Sequence, residues 1–182
     1  MQKGEIIFLN GVSSAGKTTL AKTLQAQLDK PFYWLSVDAF DSMIPEKYNN
    51  RENISVVLKA VSAMHHTIKN FSDMGLNVIV DHVFERQDWM DECVELLHEY
   101  HVLFVHVTCP LDELRRREKE RGDRKIGQGE AQLSLLNPIE TYDVTVDTLN
   151  SSKEECADEI IKLLNYPEKF AAFKTLWLQR TK

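Results

Sequence analysis

The sequence contains no CxxC pair, and its three cysteines, Cys93, Cys109 and Cys156, are odd in number and widely spaced. That fits reduced thiols in a cytoplasmic protein better than a disulfide framework or a zinc site. No stretch approaches the roughly 20 apolar residues of a membrane-spanning helix. The N-terminal MQKGEIIFLNG lacks a cleavage-site pattern, so no signal peptide and no membrane partner is expected. Positive charge is scarce as well. With 22 Lys and Arg against 28 Asp and Glu, the formal net charge is -6, which weighs against nucleic acid or an anionic membrane as partner. Glycine and proline, 7 and 5 among 182 residues, form no linker or low-complexity tract. One domain over residues 1–182 is therefore expected, long enough to bury a full core.

What is present is alternation. Short apolar runs at residues 5–10, 32–37, 76–81, 102–107 and 142–147 read as strands, several of them apolar almost throughout, as parallel strands covered on both faces are. Helical patterns lie between them. Over residues 54–71 the positions Ile54, Val57, Leu58, Val61, Met64, Ile68 and Phe71 keep a 3.6-residue rhythm, with Gly75 as its stop. Residues 113–120 form a charged helix, and 153–164 place Cys156, Ile160, Ile161 and Leu164 on one face. This order implies an α/β fold with a doubly wound parallel sheet and right-handed crossovers. At the end, residues 167–180 put Phe170, Phe173 and Trp177 on one helical face. A terminal helix docked on the core is favoured, with a homodimer contact as the second reading.

Residues 11–18, GVSSAGKT, match G-x-x-x-x-G-K-[ST], with an apolar strand before and a helix pattern (Thr19, Leu20, Ala21, Leu24, Leu28) after. Backbone N–H groups can converge on a phosphate there because Gly11, Ser13, Ser14, Ala15 and Gly16 are small, and the helix N-terminus adds a positive dipole end. Lys17 would reach the β- and γ-phosphates, the Thr18 hydroxyl would ligate Mg²⁺, and Thr19 completes the nucleotide-binding set with ATP as cofactor. A chance glycine turn before a helix is the bland alternative.

Such a loop needs a carboxylate near the metal. Asp81 ends the strand NVIVD and Asp38 ends WLSVD, both on strands expected to flank the phosphate-loop strand, outside whose carboxyl ends ligands sit. Each could instead merely cap the following helix or turn. The third element is the basic run LRRREKERGDRK, broken at Gly122. A solvated helix face is the ordinary reading of such a run. An arginine lid over about residues 115–130, with Arg121 and Arg124 neutralising a transferred phosphoryl group and excluding water, is favoured here. No Asn-Lys-x-Asp segment supports a switch GTPase. The set looks like a kinase of a small molecule.

Taken together, residues 8–17, SVDAFDSMIP (36–45), VIVDHVF (78–84), ERGDRKIGQGEAQ (120–132) and YDVTVDTLNSSKEECADEI (142–160) resemble the chloramphenicol phosphotransferase-like family, in the same order along the chain. The resemblance implies a three-layer P-loop kinase fold, a five-stranded parallel sheet flanked by helices with a short Arg-bearing lid. It further implies ATP and Mg²⁺, and phosphate transfer to a hydroxyl of a small molecule. Asp38 is cast as the general base, Arg121 or Arg124 as lid residues on the phosphates, and residues 149–152 as neighbours of the adenine. Two departures stand out. Val12 replaces a glycine, and residues 46–55 are much shorter than the antibiotic-contacting insertion, so chloramphenicol is expected to be a poor acceptor.

Other residues carry less. His65 and His66 are adjacent on a helix and cannot share one face as metal ligands. His82 and Glu85 follow Asp81 near the expected cleft, where touching the acceptor and a local turn role are equally weighted. Trp34, Trp89 and Trp177 read as core or interface aromatics. Two competing functions stay open: a kinase of a nucleotide-sugar, nucleoside or nucleic-acid end, and a non-catalytic nucleotide-binding module.

Overall fold

The computed structural model describes residues 2–121, 127–136, 139 and 141–180, apart from the side chains of Arg51, Arg121 and Leu136. Strands β1 (Ile6–Asn10), β2 (Phe32–Ser36), β3 (Asn77–His82), β4 (Val102–Thr108) and β5 (Val144–Asp147) form one sheet in the order β2-β3-β1-β4-β5. All pairings are parallel. Every residue of β1 is buried, as its unbroken apolar run requires of a strand covered on both faces.

The helices are α1 (Lys17–Gln27), the single-turn α2 (Val37–Asp41), α3 (Ile54–Asp73), α4 (Gln87–Leu97), α5 (Leu111–Arg121), α6 (Gln128–Leu136), α7 (Lys153–Leu164) and α8 (Ala172–Arg180). The step from β1 to β2 runs toward one edge of the sheet, and the steps from β2 to β3 and from β3 to β4 run back. Right-handed crossovers therefore put α1 on one face and α3 and α4 on the other. The packing agrees: α1 lies against α7, while α4 packs against both α3 and α8. Local signals set the element ends. Gly75 adopts φ 78°, its N–H meets the Ser72 carbonyl, and the Leu76 N–H meets that of Phe71, both at 2.9 Å, a Schellman stop for α3.

One expectation is corrected. The strands beside β1 are β3 and β4, not β2. The β1–α1–β2 crossover skips one strand position, and β3 later fills it. Asp38 thus does not belong to a strand flanking β1. Nor does it end its strand. β2 stops at Ser36, whose Oγ accepts from the Ala39 N–H at 3.2 Å and caps α2, leaving Asp38 in the first turn of that helix.

Asp143 joins three elements. Its Oδ2 accepts from the Phe104 N–H at 2.8 Å, and its Oδ1 accepts from Ala171 and Ala172 at 2.8 and 3.0 Å, at the start of α8. Phe173 is buried there against Phe8 and Phe104. Removing the carboxylate strands three backbone donors. Asp143→Ala is expected to destabilise the fold by about 2 kcal/mol, read as a melting temperature lower by several degrees. An unchanged melting temperature would show that α8 docks through its apolar face alone.

Candidate active site

The loop between β1 and α1 has the geometry its residue types dictate. A Cβ on Gly11 would lie 2.2 Å from the Val107 carbonyl oxygen, so only glycine lets the loop pass β4. Gly16 sits at φ 100° and Ser14 at φ 64°, which curls the chain into the first turn of α1. Lys17 is buried, donating from Nζ to the Val12 carbonyl at 3.0 Å and lying 3.9 Å from Asp81 Oδ1. Thr18 Oγ1 donates to Asp81 Oδ2 at 2.7 Å. Strand register accounts for this meeting, because Asp81 pairs with Leu9 on one side and Ser36 on the other. A hydroxyl and a carboxylate so close supply the hard oxygen donors that suit Mg²⁺. No cluster of three His, Cys, Asp or Glu able to hold a metal occurs among the described residues.

Two cavities meet at the loop. The first, about 330 Å³, is lined on one side by Ser13, Lys17 and Thr18 and on the other by Asp38, Asp41 and Glu85. The second, about 370 Å³, is lined by Leu20, Arg117, Thr148 and Cys156. Gly16 and Thr19 line both, so the loop forms the wall between them. Of the remaining loop residues expected to bind nucleotide, Ser14 lines the first cavity. Ala15 is fully buried and gives its carbonyl to Thr148 Oγ1 at 2.7 Å. Thr148 and Lys153 line the second cavity, flanking residues 149–152.

The carboxylates of the first cavity sense one another. Burial chiefly, then the charges of Asp38 and Glu85, holds the Asp41 carboxyl above its usual range. Asp41 Oδ1 is buried without a hydrogen-bond partner.

Arg124 and the Arg121 side chain lie outside the described residues. The structure brings forward an arginine that the sequence reading ranked below them. Arg117 on α5 pairs with Glu113 at 2.7 Å, donates to the Thr148 hydroxyl at 3.0 Å and carbonyl at 2.9 Å, and reaches the Ser14 carbonyl at 3.3 Å. The Glu113/Arg117 spacing was visible in sequence, but not the loop and strand end it would meet. Gln132 was missed too. Its Oε1 accepts from the Ser13 N–H at 2.6 Å and its Nε2 donates to Glu85, tying α6 to both sides of the first cavity. Glu118, buried, takes the N–H groups of Gly127 and Gly129 at 2.7 Å each and secures the start of α6. His65 and His82, also unforeseen as a pair, stand Nε2 to Nε2 at 2.9 Å, and burial first of all lowers both pKa values.

Residues 4–165 match the family model of chloramphenicol phosphotransferase-like proteins. A provisionally named O-phosphotransferase of Mycobacterium tuberculosis is 26% identical over 184 residues, covering 88% of this chain and 82% of its own. An adenylyl-sulfate kinase of Clostridium acetobutylicum is 23% identical over 172 residues, covering 90% of this chain and 84% of its own. In three dimensions the Mycobacterium tuberculosis APS kinase CysC, solved with AMPPNP and APS, superposes with a TM-score of 0.66 at 16% identity, over 91% of this chain and 99% of that one. A likeness that distant establishes the P-loop kinase fold, and the family match goes further: the chain belongs to the chloramphenicol phosphotransferase-like family and is a kinase.

Proposed function

We propose that the chain transfers the γ-phosphate of ATP to a hydroxyl of a small molecule. The observation that carries this is the placement of the phosphate loop as the shared wall of two cavities. A nucleotide in the cavity beside Arg117 and Thr148, its phosphates along residues Ser13 to Thr18, would present the terminal phosphoryl group to the cavity holding Asp38 and Asp41. Asp38 orients the acceptor hydroxyl and takes its proton as the oxygen attacks the γ-phosphorus; the bond to the β-phosphate bridging oxygen breaks, and ADP leaves. Lys17 balances charge on the β- and γ-phosphates. Thr18 and Asp81 would hold Mg²⁺, whose contribution when bound is to neutralise phosphate charge. To Arg121 and Arg124 we assign stabilisation of the transferred group, as the family resemblance implies.

The proposal is tested by acceptor-stimulated ADP release across a library of hydroxyl compounds. Stimulation by at least one alcohol above the rate in water supports it, and a water rate that no alcohol raises opposes it. Within the same assay Asp81→Asn is expected to raise the Mg²⁺ concentration for half-maximal rate about tenfold, in line with the loss of one ligating or ligand-orienting group. Rescue at high Mg²⁺ confirms the assignment. An unchanged Mg²⁺ requirement removes Asp81 from the metal.

A further inference from the structure

Past Asn10 and His82, the last paired residues of β1 and β3, the two strands run into separate loops. One carries the phosphate site and the other a wall of the first cavity. The Phe84 N–H still reaches Asn10 Oδ1 at 3.1 Å. Farther out, Ser13 and Glu85 are joined through a third element. The Gln132 carboxamide on α6 accepts from the Ser13 N–H at 2.6 Å and donates to a Glu85 carboxylate oxygen. A backbone N–H only donates, so the amide oxygen must face Ser13 and the NH₂ is left for Glu85. Gln132 is 5% exposed, whereas Glu85 is an exposed residue on the cavity wall.

The carboxamide is seated from behind. Gly127, at φ 87°, and Gly129 give their N–H groups to the buried Glu118 carboxylate at 2.7 Å each, which ties the first turn of α6 to α5. A Cβ on Gly129 would lie 3.0 Å from the Ser13 carbonyl oxygen and 3.2 Å from Glu118 Oε1. The start of α6 therefore sits directly on Ser13. One buried side chain on an anchored helix touches both halves of the site at once.

We propose, on the reading of the first cavity as the acceptor site, that Gln132 is a positioning residue through which a nucleotide on the phosphate loop fixes Glu85 against the phosphate acceptor. A triphosphate held by the loop takes freedom from Ser13, and the carboxamide passes that restraint to Glu85, which then meets the acceptor in one orientation. Transfer demands such control, because displacing the reacting groups by about 1 Å costs about 10²-fold in rate. The coupling is reciprocal, so an acceptor bound at Glu85 strengthens nucleotide binding by the same factor.

The test reads Glu85 with and without nucleotide and needs no acceptor. Amide exchange at residues 84–86 is followed in ¹⁵N spectra of the free protein and of the protein saturated with AMPPNP and Mg²⁺. A passive brace between the loops would protect these amides equally in both states. AMPPNP is expected to slow exchange at Glu85 and Arg86 about tenfold, and by less than about twofold in Gln132→Met, which keeps the side-chain length without the amide. Gln132→Glu keeps an oxygen for the Ser13 N–H but gives Glu85 a like charge in place of a donor, and is expected to lose the effect as well. Adding Glu85→Gln to it rebuilds the bridge with the amide on residue 85, and is expected to bring the nucleotide effect back to within about threefold of the original. Melting temperatures and calorimetric AMPPNP affinities check that each variant folds and binds. Slowing that survives in folded Gln132→Met, equal exchange in the free and AMPPNP-bound wild type, or a folded exchanged pair that recovers nothing would each overturn the proposal. Protection that needs Gln132, in a protein that only hydrolyses ATP, upholds the link and rejects transfer to an alcohol. Transfer to an alcohol at an undiminished rate in folded Gln132→Met does the reverse.

Discussion

Lys17→Ala is expected to lose phosphoryl transfer by about 10³-fold and to weaken ATP binding, while the protein stays folded. The magnitude is that of removing one preorganised charge aimed at a phosphoryl group in a water-poor site. The fold is expected to survive because the side chain lines the cavity at the phosphate loop, with Nζ on the Val12 carbonyl at 3.0 Å and 3.9 Å from Asp81 Oδ1. The loop itself is held by other means: Gly11 against β4, Gly16 at its positive φ, and Thr148 on the Ala15 carbonyl. Circular dichroism checks the fold, calorimetry the ATP affinity, and ADP release the rate. A folded Lys17→Ala protein with wild-type affinity and rate would mean that the phosphate chain does not lie on this loop.

The second large effect separates two carboxylates one helical turn apart. Asp38→Asn is expected to lower kcat by about 10²- to 10⁴-fold, the range of a lost general base, with ATP affinity near normal. Asp41→Asn is expected to act mainly on acceptor KM. Both side chains line the same cavity, so position alone does not divide the work. Asp41 is the group with a raised pKa and a buried oxygen lacking a partner, which suits a residue that accepts a donor from the bound alcohol. Parallel kcat and KM measurements on the two variants decide it. If Asp41→Asn abolishes kcat while Asp38→Asn turns over normally, the two roles are exchanged.

The parts of this site that were legible in the sequence are those whose geometry is encoded locally. Residues 11–18 announce the phosphate loop because a close approach at Gly11 and a positive φ at Gly16 can be met only by glycine. Asp81 was legible because an apolar strand delivers its last carboxylate to the sheet's carboxyl end, where Thr18 meets it. Strand order was less so. The flanking position expected for β2 failed because nothing in residues 32–36 records that the crossover skips a place. Ser36 ends β2 as a strand residue and is at the same time the cap that starts α2, which places Asp38 in that helix.

Contacts that depend on how distant elements pack were not legible. His65 and His82 are 17 positions apart, one on a helix and one on a strand, and only the seating of α3 on β3 makes them a pair. Considering His65 with its neighbour His66 obscured this, since the structure leaves His65 buried and His66 exposed. Arg117 was passed over for a similar reason. Among neighbouring arginines, sequence favours those beside the glycine break, whereas the fold turns Arg117 onto the Ser14 and Thr148 carbonyls. Gln132 carried no signal beyond its place in the segment that resembles the family, because a carboxamide bridging Ser13 and Glu85 exists only once α6 has packed back on the loop.

The most direct measurement follows the phosphate itself. ATP labelled at the γ-phosphate is incubated with Mg²⁺ and a small hydroxyl compound that stimulates ADP release, under single-turnover conditions, and the labelled products are separated. Label is expected in a phosphate ester of the added compound, in an amount equal to the ADP formed, with none in the Lys17→Ala or Asp38→Asn protein. Label found only as inorganic phosphate, at a rate indifferent to any added alcohol, would contradict transfer to an acceptor and leave a nucleotide hydrolase in its place.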